Sequence, residues 1–180
     1  MIFRSARALV VGLGLVGGLS FVSGIAPSDA VAQSVATAGE FNDWWAFALG
    51  ESGSPVWFVY STPKTQRPDN FNRSEAYIQV THRPASKTVG EISITMGYGL
   101  KKDSVVTVDI DGGKTNLFVD NQTAWAETAS IDARLVQSMI RGVRMNVIGL
   151  SADGTQTRDT YSLSGFTAAH RKISELCGVK

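Results

Sequence analysis

The 180-residue chain has one cysteine, Cys177, and two histidines, His82 and His170. A single cysteine excludes an internal disulfide framework, the usual staple of small exported domains. The histidines lie 88 positions apart with no cysteine or carboxylate at ligand spacing, so no metal motif is present. No run of like charge exceeds the Lys101-Lys102 pair, and there is no internal repeat or low-complexity tract. Beyond the first 32 residues no apolar stretch is long enough to span a bilayer.

What is present at the start is an export pattern. Arg4 and Arg7 precede an apolar run over residues 8–25, and Ala30-Val31-Ala32 offers the small-x-small pattern of a signal-peptidase site. The expectation is a cleaved signal peptide over 1–32 with a mature start at Gln33, Ala36-Thr37-Ala38 being a second possible cut. Glycines and serines dilute the run below what a permanent anchor requires, and no cysteine stands at the cut site to carry a lipid. Seventeen basic and sixteen acidic residues fall to fifteen each once Arg4, Arg7 and Asp29 are removed. A net charge of zero supplies no general attraction to nucleic acid or anionic lipid. The remaining 148 residues are enough for one core. The expected organisation is a short lead over 33–42 and a single domain over 43–180.

Periodicity predicts a mainly β domain, an antiparallel immunoglobulin-like β-sandwich with one internal helix and a C-terminal helix. Trp45, Phe47 and Leu49 share one side of a strand over 43–49, and 56–61 returns as a strongly apolar strand after the turn residues 51–55. A polar loop is expected over 62–72. Ala76, Ile78 and Val80 alternate with polar neighbours up to the Arg83-Pro84 break, as do Ile92, Ile94 and Met96. Asp111-Gly112-Gly113 and Asp153-Gly154 mark two hairpins, whose glycines are expected to supply the positive φ. The polar outgoing strand of the second is expected at an edge or with one face solvated. Ser130 is a possible cap for a helix over 131–141 closed by Gly142, and Thr167 for a last helix bearing Phe166, Ala169, Ile173, Leu176 and Cys177 and ended by Gly178.

Several near-motifs fail on their own chemistry. Ser61-Thr62-Pro63-Lys64 has the spacing of a penicillin-binding nucleophile but lacks the S-D-N and K-T-G partners. Gly113-Lys114-Thr115 lacks the leading glycine of a phosphate loop, and Gly149-Leu150-Ser151-Ala152-Asp153 lacks the closing glycine of a nucleophile elbow. Asp109-Ile110-Asp111-Gly112 opens like a calcium loop without its later ligands. No catalytic, metal or cofactor site is therefore assigned. Trp44, Trp45, Trp125 and Tyr98 are the candidate partner contacts, and Cys177 is a candidate free thiol. Trp44 and Trp45, adjacent in one strand, must point to opposite faces.

The order of elements also resembles a known family. Asp43-Trp44, Tyr60-Ser61-Thr62-Pro63, the Val80-Thr81-His82-Arg83-Pro84 block, Gly97-Tyr98, Ala124-Trp125-Ala126, Met139-Ile140-Arg141-Gly142, and the block from Tyr161 through Phe166 to Ala169 are similar to the invasion-associated locus B family of α-proteobacterial exported proteins. The resemblance implies a periplasmic or secreted envelope protein with an immunoglobulin-like fold and no catalytic residues to carry over. Members often hold a cysteine early in the second strand that could join the C-terminal one; here that stretch reads Pro55-Val56-Trp57-Phe58-Val59-Tyr60. Loss of such a bridge costs about 2–5 kcal/mol, which a packed Trp57 would partly offset. The expected role is a non-enzymatic protein that binds or scaffolds a partner at its exterior, an envelope or host protein or a glycan. A small-ligand carrier with an apolar cavity and an envelope-acting enzyme with a polar pocket are the alternatives.

Overall fold

Alternating apolar residues put one face of each strand into a common interior, and the turn chemistry between them sets the pairing. The computed structural model describes residues 35–50 and 55–179; the expected signal peptide and the turn residues 51–54 lie outside them. Eleven strands are present in the described chain: β1 Val35–Phe41, β2 Trp44–Leu49, β3 Val56–Ser61, β4 Thr65–Arg67, β5 Tyr77–Arg83, β6 Thr88–Thr95, β7 Val105–Ile110, β8 Gly113–Asp120, β9 Thr123–Trp125, β10 Arg144–Leu150 and β11 Gln156–Ser162. The helices are α1 Ala129–Arg141 and α2 Phe166–Cys177.

The mainly β, antiparallel fold expected from the alternation is the one observed. Its strands join in one continuous ladder, β1-β2-β3-β5-β6-β9-β8-β7-β10-β11-β4. Ile78, Val80, Ile92 and Ile94 from one half meet Val106, Val108, Met145 and Val147 from the other in a single buried cluster, as in a sandwich, with short β9 bridging the halves.

Local chemistry explains the elements and several departures. Residues 33–42, expected as a lead, hold β1, which pairs with β2 around an irregularity between Thr37 and Gly39. The expected loop 62–72 contributes β4, three residues on the outer edge of β11. That places β11 inside the sheet, with Gln156 and Arg158 exposed. In the first hairpin Asp111 (φ 49°) and Gly112 (φ 94°) make the turn while Gly113 already pairs with Ile110, so an aspartate replaces one expected glycine.

Helix α1 is capped by Thr128, whose hydroxyl accepts from Ile131 N at 3.3 Å, instead of by Ser130 two residues later. Gly142 follows in extended conformation, so it is needed for space: a Cβ would lie 2.5 Å from Ile110 Cγ2. Asp132, buried, accepts from Ile92 N at 2.9 Å and pins α1 to β6. Helix α2 begins after Gly165 at φ +94°, where a Cβ would lie 1.9 Å from Phe41 O. Thr167, expected as the cap, is inside the helix and donates to Ile140 O. Close approach at Gly165 lets Asp43 N donate to Ser164 O and the Trp44 indole donate to Ser162 O at 2.9 Å. Trp44 then packs edge-on against Phe166, sealing α2 to the sheet.

Candidate functional site

Three arrangements carry chemistry. The first is internal. Inward alternation on β11 buries Thr157, Asp159 and Tyr161 almost completely. Arg73, just before β5, reaches into this space with its side chain 6% exposed, and one guanidinium nitrogen straddles both Asp159 oxygens at 2.8 and 2.9 Å. Arg73 Nη2, Asp159 Oδ1 and the Tyr161 hydroxyl have no aligned hydrogen-bond partner among the described residues. The Phe71 and Tyr98 rings flank the guanidinium at 5.7 and 5.8 Å, and the Tyr98 hydroxyl bonds Thr157 Oγ1. Burial pushes the Asp159 carboxyl up despite Arg73, and pushes the Tyr161 hydroxyl up as well. Closed to solvent, the pair fastens the segment ahead of β5 to β11.

The second arrangement brings the two histidines together, their rings 5.1 Å apart and nearly perpendicular. His82 is fully buried; its Nδ1 accepts from Gly90 N at 2.9 Å, so its proton sits on Nε2, facing Ser174 Oγ at 3.1 Å. Ser174 in turn donates to His170 O at 2.9 Å. This order makes His82 a donor to Ser174, so it cannot take that hydroxyl's proton, and both of its nitrogens are occupied against a metal. Burial holds His82 below the ordinary imidazole range and, with His82 alongside, lowers His170 to about 4. The spacing gave no sign of this pairing, because it depends on α2 packing across β5.

The third is external. Register places Trp45 opposite Tyr60 and Phe47 opposite Phe58 on the face of β2 and β3 that points away from Trp44. Ring centroids are 6.4 Å apart for Trp45 and Tyr60, 5.4 Å for Tyr60 and Tyr77, and 5.3 Å for the stacked Phe47 and Phe58. None of these five belongs to the core cluster. They form a half-exposed aromatic surface, continued in register through Gln79 and Ser93 to Trp125 on β9.

The expected contact residues therefore separate. Trp44 is 0% and Tyr98 7% exposed, which removes both from any exterior surface: each is held inside by its hydrogen bond to β11. Trp45 and Trp125 remain at the outer face. Cys177 is a free thiol, half-buried near the end of α2, with Sγ 3.6 Å from Ser174 O. Trp57 packs against the core.

The near-motifs occupy structural posts. Ser61 donates to Asp43 O at 2.7 Å while Lys64 pairs with the Asp43 carboxylate, so serine and lysine do not face each other. Asp109 and Asp111 accept from Gly112 N and Val143 N, stabilising the hairpin. The Ser151 hydroxyl caps its own turn through Thr155 N.

Comparison with curated proteins and with solved structures gives no match. A family model described as Invasion associated locus B (IalB) protein matches residues 64–174, from just before β4 through most of α2. The blocks that carried the resemblance have physical posts within that span: Val80 to Pro84 contains the sealed His82, and Tyr161 to Ala169 contains the close approach at Gly165. With more than half of its length matched, the chain belongs to the invasion-associated locus B family.

Proposed function

We propose that this protein works outside the cytoplasm, in the periplasm or at the cell surface, as a non-enzymatic binding or scaffolding protein of the envelope. Its contact face is the outer aromatic surface of β2, β3 and β5. The observation that carries the reading is the separation of Trp45, Phe47, Phe58, Tyr60 and Tyr77 from the core cluster. Aromatic side chains gathered on a surface without being needed for the interior suit contact with a protein or glycan, since they bring large area at small entropic cost. Family membership and the N-terminal export pattern support the location, and among the described residues no helix is long and apolar enough to cross a membrane. A link to host-cell interaction follows only from the family's description.

The test is an affinity pull-down from fractionated envelope with wild type and a Trp45→Ala/Tyr60→Ala variant. Specific proteins or glycans retained by wild type and lost by the variant are expected. Identical recoveries from both would remove the aromatic face as the contact surface.

A further inference from the structure

Between α1, α2 and the start of β6 lies a half-open cleft of about 560 Å³. It exists because the positions facing it are small: β6 enters with Gly90, whose φ of +71° disfavours a side chain, and α1 presents Ala133. Val89, Val136 and Val179 make its walls apolar, and Val89 is 46% exposed there. The size lies within the range of small-molecule sites, about 300–1,000 Å³, and such sites combine apolar walls with a few placed polar groups.

Of the cleft's polar lining, Gln137 is exposed on α1 and the Ser174 hydroxyl is engaged by His82 and His170 O, which leaves the His170 ring as the polar group set into the wall. Unlike His82, whose two nitrogens are both engaged, His170 has no hydrogen-bond partner for its ring among the described residues. Burial keeps the imidazole uncharged at neutral pH, with one donor and one acceptor. At the mouth Arg171 and Glu175 lie one helical turn apart, 3.9 Å between nitrogen and oxygen, and their charges cancel. An anionic or cationic guest therefore meets no net opposite charge.

We propose that this cleft binds an uncharged, mainly apolar small molecule that carries one hydrogen-bonding group, seated with that group against His170. The apolar walls remove the body of the guest from water, and the imidazole satisfies its polar end. The site lies on a different part of the fold from the aromatic face, so it neither requires nor replaces the contact reading above.

The experiment titrates the purified protein with N-phenyl-1-naphthylamine, an uncharged fluorophore with one N–H that brightens in apolar surroundings. Saturable single-site binding is expected, displaced by 1-decanol and accompanied by movement of one of the two histidine ring-proton resonances. Ala133→Trp fills the cleft from an exposed helix position and should weaken binding about tenfold or more. Val143→Trp, at a 77% exposed site outside the cleft, should leave it unchanged. Circular dichroism and thermal midpoints establish that both variants fold; if Ala133→Trp does not, Val89→Trp at the exposed rim takes its place. Absence of saturable binding, equal binding by the cleft-filling variant, failure of decanol to displace the probe, or unmoved histidine resonances would each overturn the proposal.

Discussion

Removing the Asp159 carboxylate tests how the interior tolerates the one deeply buried ion pair among the described residues. Asp159→Ala leaves the Arg73 guanidinium, 6% exposed, facing the Phe71 and Tyr98 rings with no counter-charge. Breaking a buried pair from one side costs about 3–5 kcal/mol, a large part of the total stability of about 5–15 kcal/mol expected of a domain. With a urea dependence of about 1.5 kcal/mol/M, the unfolding midpoint should fall by about 2–3 M. Tryptophan fluorescence reports the transition, since Trp44 is wholly buried. Replacing both partners, Arg73→Met with Asp159→Leu, removes both charges together and should return stability to within about 1–2 kcal/mol of wild type. The Arg73→Met single variant adds a sign test. Burial already raises the Asp159 carboxyl in the folded state, and loss of Arg73 raises it further. A carboxyl with a raised folded pKa costs stability as pH climbs above its unfolded value, 3.8. Relative to wild type, Arg73→Met should thus lose less at pH 4 than at pH 7. The reasoning is refuted if Asp159→Ala costs under about 1 kcal/mol, or if the double variant loses as much as the two singles together.

Three further outcomes are expected. His170 has a folded pKa of about 4 against 6.5 unfolded, so its contribution is complete above pH 6.5 and is lost as pH falls toward 4; with partial exposure allowed for, the loss is about 2 kcal/mol, and His170→Phe should flatten that part of a stability–pH curve. Gly165→Ala combines left-handed strain of about 1–2 kcal/mol with backbone overlap and should cost more than about 3 kcal/mol in thermal unfolding, whereas Gly154→Ala, with open space around it, should show the strain alone. Cys177 should run as monomer on non-reducing electrophoresis and react with alkylating reagent much faster after denaturation; disulfide-linked dimer in the untreated protein would contradict its half-buried place on α2.

Strands with strong alternation were legible residue by residue. Ile92, Ile94 and Met96 point inward as their spacing requires, and the Asp111-Gly112 turn sits between the strands it was expected to join. Weakly patterned strands were not. β1 reads VATAGEF, small and polar, and β4 has three polar residues; both pair through backbone groups that carry no side-chain signature. The helix starts shifted because Thr128 and Ser130 are chemically equivalent caps, and the choice rests on which residue turns extended. Of the contact candidates, opposite faces for Trp44 and Trp45 could be read from adjacency alone. Which of the two faced the core could not, because that depends on where Phe166 and Ser162 dock.

By itself the sequence determined the mainly antiparallel β character, the positions of the principal turns and both helices, and the want of any recognisable catalytic motif. Those properties are local: they follow from side-chain period, positive φ and capping groups within a few residues. Tertiary structure alone decided that His82 meets His170, that Arg73 finds Asp159, and that five aromatic rings gather outside the core. Each of these joins residues distant in the chain through strand register and helix docking, and burial, which sets their charge states, exists only once that packing is complete.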